Sequence, residues 1–154
     1  MKFSQLAVLL LSVGGCGAQE KALRPENQPT AVLRVVAPPT LKLGDSLMVV
    51  AELTNLGDKA IVMENGGKEL MTDFLRAATD SQVYSLPGPV WTAELDIKTV
   101  APGETFRVTR YWDARNGAGN AVPAGLYKIR PRALLPAEFR VSVDATPVTF
   151  VVMH

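Results

Sequence analysis

Apolar residues in this chain recur at every second position, and turn-forming residues interrupt them every 8 to 15 residues. No long stretch carries the three-to-four spacing of an amphipathic helix. Ser46 to Thr54 shows the pattern best, with Leu47, Val49, Ala51 and Leu53 on one face. Period-two alternation is what a strand with one buried face requires. Similar runs fall at Ala31–Ala37, Leu41–Leu43, Ala60–Met63, Glu104–Trp112, Gly125–Arg132, Ala137–Val143 and Thr146–Val152. Leu70–Ala77 and Gln82–Leu86 read as a hairpin around Thr79-Asp80-Ser81, although Leu70–Ala78 also fits one or two helical turns. Gly44-Asp45, Asn55-Leu56-Gly57-Asp58, Asn65-Gly66-Gly67, Pro87-Gly88-Pro89 and Pro102-Gly103 supply the breaks. Seven to nine short strands so spaced predict an all-β fold, an antiparallel β-sandwich.

Alternation places Leu47, Val49, Phe106, Val108, Tyr127, Ile129, Phe139, Val141, Val148 and Phe150 in the core. Arg110 breaks the inward series Phe106, Val108, Trp112. Either a bulge re-aims it or its strand lies at a sheet edge. The 154 residues suffice for one domain and a tail. One cysteine excludes a disulfide framework. A net charge of +1 without a basic cluster gives no electrostatic footprint for nucleic acid.

The amino terminus is a separate unit. Lys2 gives a positive start, Leu6 to Leu11 a short apolar core, and Val13-Gly14-Gly15 leads to Cys16. This is the layout of a secretory signal peptide. The apolar run is far shorter than the roughly 20 residues that span a bilayer. Its ending resembles a bacterial lipobox. That resemblance implies cleavage before Cys16 and a diacylglycerol on its sulfur, with membrane attachment through that lipid. An ordinary signal peptide cut after Ala18 would instead release a soluble product. Gly17 stands where an aspartate would resemble an inner-membrane retention signal. The expectation is therefore a cell-envelope protein, on the outer membrane in a Gram-negative cell. Residues 1–15 are then the signal, 16–30 a lipidated cysteine and polar tether, and 31–154 the domain. The tether's random-coil reach is about 20 Å.

Val100-Ala101-Pro102-Gly103-Glu104, Tyr111-Trp112-Asp113, Asn116-Gly117 and Val122-Pro123-Ala124-Gly125-Leu126-Tyr127 together resemble the bacterial intracellular proteinase inhibitor (BsuPI) family. Glu52-Leu53-Thr54-Asn55 followed by Asp58-Lys59-Ala60-Ile61 is similar to that family's early strand pair. The resemblance covers about residues 45 to 133 and implies an immunoglobulin-like β-sandwich. The same Trp-Asp to Pro-x-Gly-x-Tyr hairpin also resembles the immunoglobulin-like module of flagellar hook-capping proteins and repeats in secretion-tail domains.

Each of these motif residues has a scaffold role. Pro102 pre-sets φ and Gly103 accepts positive φ, which makes a turn. Trp112 is a core anchor whose indole N–H needs a partner. Asp113 can hold nearby backbone N–H groups. Asn116-Gly117 suits a tight turn. Pro123 and Gly125 stiffen re-entry, and Tyr127 packs inward with its hydroxyl free to tie the corner.

Residues that could carry chemistry are sparse. Asp113, Asn116 and Asn120 are spaced like calcium ligands, but Arg115 intrudes and no glutamate closes the loop. With Cys16 the only cysteine and His154 the only histidine, neither a zinc site nor a Ser-His-Asp triad is expected. Ser46, Ser81, Ser85 and Ser142 lie outside any G-x-S-x-G elbow. Glu64, Glu69 and Asp73 read as a solvated acidic face. No catalytic residue, metal or other cofactor is expected, and the chain is not expected to be an enzyme. A protein partner is expected, with a serine protease the first candidate. An envelope assembly module that binds other surface proteins is the alternative. If the domain inhibits a protease, the apolar, proline-stiffened segment Pro87-Gly88-Pro89-Val90-Trp91 is the candidate contact loop. The bland alternative is that Trp91 packs across the sandwich. Leu134-Leu135-Pro136 is a second apolar loop.

Overall fold

A computed structural model of the chain describes residues 30–87, 96–143 and 148–153. Within them lie eleven strands and no helix. They are β1 (Ala31–Val36), β2 (Thr40–Lys42), β3 (Leu47–Asn55), β4 (Ile61–Met63), β5 (Leu70–Arg76), β6 (Gln82–Leu86), β7 (Lys98–Val100), β8 (Thr105–Trp112), β9 (Gly125–Ala133), β10 (Val141–Val143) and β11 (Val148–Met153). The first sheet runs β10-β1-β3-β8 and the second β2-β11-β9-β5-β6, while β4 and β7 form a small ribbon.

Alternation decides the layers. Leu47, Val49, Ala51 and Leu53 of β3 are buried while their neighbours face outward. Tyr127 and Ile129 of β9 and Phe150 and Val152 of β11 do the same in the second sheet. All ten core positions expected from the sequence lie in the core or pack against it. Leu70–Arg76 is a strand, not a helical turn, held between β9 and β6. Thr79 and Ser81 cap its hairpin through a 2.7 Å hydroxyl contact.

Three details differ from the expected all-antiparallel set. β1 pairs with β10, and β2 with β11, in parallel. Each of these pairs joins an early segment of the domain to a late one, and parallel strands need such a long connection. The expected strand Ala137–Val143 is reduced to Val141–Val143, because Phe139 N–H closes a turn on the Pro136 carbonyl at 2.9 Å. β7 adds a strand at Lys98–Val100, too short for alternation to reveal.

Four rings fill the centre. Trp112 from the first sheet stacks on Phe74 at 4.3 Å and meets Phe150 and Tyr127 edge-on at 5.8 and 6.2 Å. Tyr127 and Phe150 stack at 5.7 Å. Offset and edge contacts of this kind add to area burial. The Trp112 indole N–H donates to the Arg115 carbonyl at 2.7 Å. The Tyr127 hydroxyl donates to the Pro123 carbonyl at 2.7 Å, a tyrosine corner that fixes re-entry into β9. Burial pushes that hydroxyl's pKa up.

Asn55 closes the other end of β3 while fully buried. Its Nδ2 donates to the carbonyls of Lys59 and Val100 at 2.8 and 2.9 Å, and its Oδ1 accepts from Gly57 N–H at 2.9 Å. Its backbone bonds Gly103 and Glu104 across the Ala101–Glu104 turn, where Gly103 has φ +81°. A side chain at Gly103 would be strained.

Trp112→Ala is expected to cost about 3–5 kcal/mol of stability in urea unfolding, since three neighbouring rings lose their packing. Tyr127→Phe, which removes only the corner bond, should cost about 1 kcal/mol.

Candidate functional site

Three loops meet at one end of the sandwich. Leu70 at the start of β5 pairs with Ala133 at the end of β9, and Leu86 at the end of β6 pairs with Thr72. The chain therefore leaves β6 at Pro87 on the same end as Leu134. Leu134 N–H bonds the Glu69 carbonyl at 2.9 Å, and Gly66 N–H bonds the Asp96 carbonyl at 2.6 Å. An open groove of about 490 Å³ lies between these loops, lined by Val62, Glu64, Asn65, Glu69 and Leu134-Leu135-Pro136. Leu134 is 58% exposed, and Val62, which also lines the groove, is exposed too. Isolated exposed apolar residues mean little, but several at one rim mark a contact surface.

The groove floor is braced. Glu69 Oε1 accepts from the N–H groups of Glu64 and Asn65 at 2.8 and 2.9 Å. Arg110 reaches the same loop from the edge strand β8. Its guanidinium donates to the Gly67 carbonyl at 2.7 Å and to the Leu70 carbonyl. Arg110 stays in register opposite Val49, so no bulge is needed; it is an inward charge at a sheet edge. Such a charge also discourages edge-to-edge pairing. Burial pushes its pKa down, and the charge of Glu69 acts against that. Gly67, at φ +83°, has no room for a Cβ, which would sit 2.5 Å from the Phe106 ring.

A second polar centre lies on the outer face of the second sheet. Asp73 on β5 is fully buried although it points away from the core. Ser85 Oγ donates to Oδ1 at 2.7 Å. Arg132 engages both oxygens, at 2.8 Å through Nε and 3.0 Å through Nη2. Arg130 adds Nε and Nη2 contacts to Oδ2 at 3.3 and 3.0 Å. Burial alone pushes the Asp73 carboxyl up and is the largest single influence. The bonds from Arg132, Ser85 and Arg130, with the charge of Arg132, outweigh it and hold the carboxyl below its usual range.

The expected solvated cluster of Glu64, Glu69 and Asp73 is thus corrected. Glu69 folds onto its own loop, and Asp73 lies on another face beneath two arginines. Ser85 gives its proton to Asp73, and Ser81 bonds Thr79. Among the described residues, no group of three His, Cys, Asp or Glu is arranged to hold a metal.

Of the expected contact loop, only Pro87 lies within the described residues; Gly88, Pro89, Val90 and Trp91 lie outside them, as does Cys16. Asp113 does not hold backbone N–H groups; its carboxylate faces Arg115 at 3.4 Å. Asn116 does that work, with Oδ1 accepting from Ala118 and Asn120 N–H at 3.0 Å. Gly119, not Gly117, takes a positive φ in this loop, as Ala114 does, and the turn closes from Gly119 N–H to the Asn116 carbonyl. Sequence reasoning missed the Asp73 centre. Its signal is the Arg130-x-Arg132 pair on the polar face of β9, which calls for a counter-charge on the next strand.

Asp73→Asn should lower stability by about 1–3 kcal/mol at neutral pH, as charge-assisted bonds are lost. The folded carboxyl binds its proton less tightly than the unfolded one. Its contribution is therefore full above about pH 4 and lost as pH falls through the depressed folded value. Urea melts across pH 2 to 7 should show this acid-linked loss in the parent chain and its absence in the variant.

No protein-family description and no curated protein sequence matches the chain. Solved structures share its fold at low identity. The CARDB domain of the PF1109 protein of Pyrococcus furiosus, solved with di-metal ions, is 11% identical with a TM-score of 0.44, over 81% of this chain and 89% of that one. A β-glucosidase from Erythrobacter marinus is 14% identical with a TM-score of 0.48, and the chain spans only 16% of that enzyme's length. The Pseudomonas fluorescens alkylpurine DNA glycosylase AlkC, bound to DNA containing an abasic site analog, is 11% identical with a TM-score of 0.46, over 82% of this chain and 31% of that one. In its layers and strand order, the domain is an immunoglobulin-like β-sandwich.

Proposed function

We propose that this domain is a non-catalytic binding module of the bacterial cell envelope that presents its groove end to a protein partner, and that the partner is a protease. The observation that carries this reading is the braced groove itself. Arg110, Glu69 and Gly67 hold its floor, while Leu134 and Val62 leave apolar surface at its rim. A rigid loop end binds with a smaller entropy loss than a mobile one. Pro87, the first residue of the candidate contact loop, lies at the same end as Leu134.

The residues able to do chemistry support the non-catalytic reading. Asp73, Ser85, Arg110 and Asn55 are each bonded into the scaffold. The likeness of Pro102-Gly103-Glu104, Trp112-Asp113 and Pro123-x-Gly125-x-Tyr127 to the proteinase inhibitor family supports a protease as the partner. The lipobox-like ending at Cys16 supports anchoring by lipid at the envelope.

The decisive experiment is a titration of residues 31–154 into a panel of serine proteases that includes a subtilisin-like enzyme. All eleven described strands lie between Ala31 and Met153, so this stretch carries the sandwich. Stoichiometric loss of activity is expected, and Trp91→Ala or Leu134→Asp should weaken it by more than about tenfold. A folded, uncleaved domain that leaves every protease active would sink the inhibitor reading and return the groove to an envelope assembly role. Anchoring has its own test: Cys16→Ser should abolish incorporation of a fatty-acid analogue into the full chain.

A further inference from the structure

We propose that the outer face of the second sheet is a membrane-docking surface that takes the phosphates of anionic lipid headgroups on Arg130, Arg132 and Lys128. This goes beyond the partner-binding groove and does not depend on lipid at Cys16.

Outward positions on β9 read Leu126, Lys128, Arg130 and Arg132 in sequence, because the alternate residues Tyr127 and Ile129 are buried. Lys42 lies outward on the edge strand β2, beyond β11. The one carboxylate among these strands' outward positions is Asp73, and it is fully buried beneath the arginines. One carboxylate shared by two guanidiniums leaves an excess positive charge at the surface. Lys128 is ion-paired with Asp80 at the hairpin tip, so the excess charge of this face rests on Arg130 and Arg132.

The cluster is built, not a loose accumulation of side chains. Both arginines turn their Nε and Nη2 edges to Asp73, which leaves the Nη1 groups directed elsewhere. Among the described residues, neither guanidinium makes another hydrogen bond. Both side chains are about half exposed. A buried carboxylate that holds two arginines side by side presets their spacing and lowers the entropy lost when an oxyanion spans them. Stability alone is a weak reason for such a triad, since apolar replacements of buried ion clusters are often neutral or better.

Apolar residues adjoin the basic stripe and decide the occupant. Val151 of β11 pairs directly with Leu126, which is 54% exposed, and Met153 follows on the same face. Leu43, also exposed, bonds through its N–H to the Met153 carbonyl at 2.8 Å. A flat face with cations beside exposed leucine, valine and methionine matches the headgroup–acyl boundary of an anionic bilayer. An acidic protein segment would use the cations and gain little from this apolar corner. On the opposite outer face Glu52 lies between Arg107, paired with it at 2.7 Å, and Arg34, its register partner on β1.

The test is co-flotation of residues 31–154 with vesicles of phosphatidylcholine alone and of phosphatidylcholine with phosphatidylglycerol. Binding is expected only with the anionic vesicles, and it should weaken as salt is raised. Lys128→Gln with Arg130→Gln leaves Asp73 paired with Arg132 and Ser85, so the fold survives. It should lower partitioning by about twentyfold. Leu126→Ser with Val151→Ser, which leaves every charge in place, should also lower it, whereas Arg107→Gln should not. A folded domain that ignores anionic vesicles overturns the proposal. So does loss of binding in Arg107→Gln equal to that in the Lys128/Arg130 variant. Saturation by millimolar inorganic phosphate without vesicle binding would assign the pair to a soluble phosphate instead. Tight binding to a poly-glutamate peptide that Leu126→Ser and Val151→Ser leave unchanged would assign the face to an acidic protein. Neither result bears on the protease titration, so failure here and failure of the groove reading are separately visible.

Discussion

The sandwich depends on Trp112 crossing from one sheet into the rings of the other. Its indole stacks on Phe74 and meets Phe150 and Tyr127 edge-on. Because β8 is an edge strand, one side chain fixes where that edge sits over the second sheet. The consequences spread outward. The indole N–H pins Arg115, which sets the start of the β8–β9 loop, and Tyr127 pins Pro123 at its end. A hairpin nine residues from Asp113 to Ala121 is thereby clamped at both feet by core aromatics, with Asn116 organising its middle.

Polar groups then set what the core leaves open. Asn55, Arg110 and Asp73 occupy three environments and meet burial in three ways. Asn55 fills all its hydrogen-bonding capacity with backbone, which makes the junction of β3, β7 and the Pro102-Gly103 turn a rigid corner. Arg110 donates to the carbonyls of Gly67 and Leu70, the first of which also accepts from Leu70 N–H. Asp73 keeps its charge under two arginines. A buried group left without partners costs about 1–3 kcal/mol. These contacts are therefore not decoration; losing any one of them loosens a specific loop.

Legibility in the sequence followed the same division. Strand positions and the core were readable because alternation is local, as in Leu47, Val49, Ala51 and Leu53. The turn at Pro102-Gly103 and the corner at Tyr127 were readable because their chemistry is set within a few residues. Arg110 was readable as an exception, and the structure chose the edge over the bulge. Asp73 was not readable. Its burial is produced by Arg130 and Arg132, 57 and 59 residues away, and by Ser85 from the next strand. The parallel pairings of β1 with β10 and β2 with β11 are equally non-local. The groove needed all three loops to be placed before Leu134 could be seen beside Glu69.

The groove and the basic face are not independent in space. Arg132 is the last outward cation of β9, and Leu134 begins the groove loop immediately beyond it. A domain lying on a bilayer through Arg130, Arg132 and Leu126 would bring the groove loop close to the membrane. The entry to β1 lies near the same loop, since Thr30 and Arg140 exchange two hydrogen bonds at 2.9 and 2.8 Å. On the two proposals above, face and groove together restrict the partner to one that itself works close to the lipid surface.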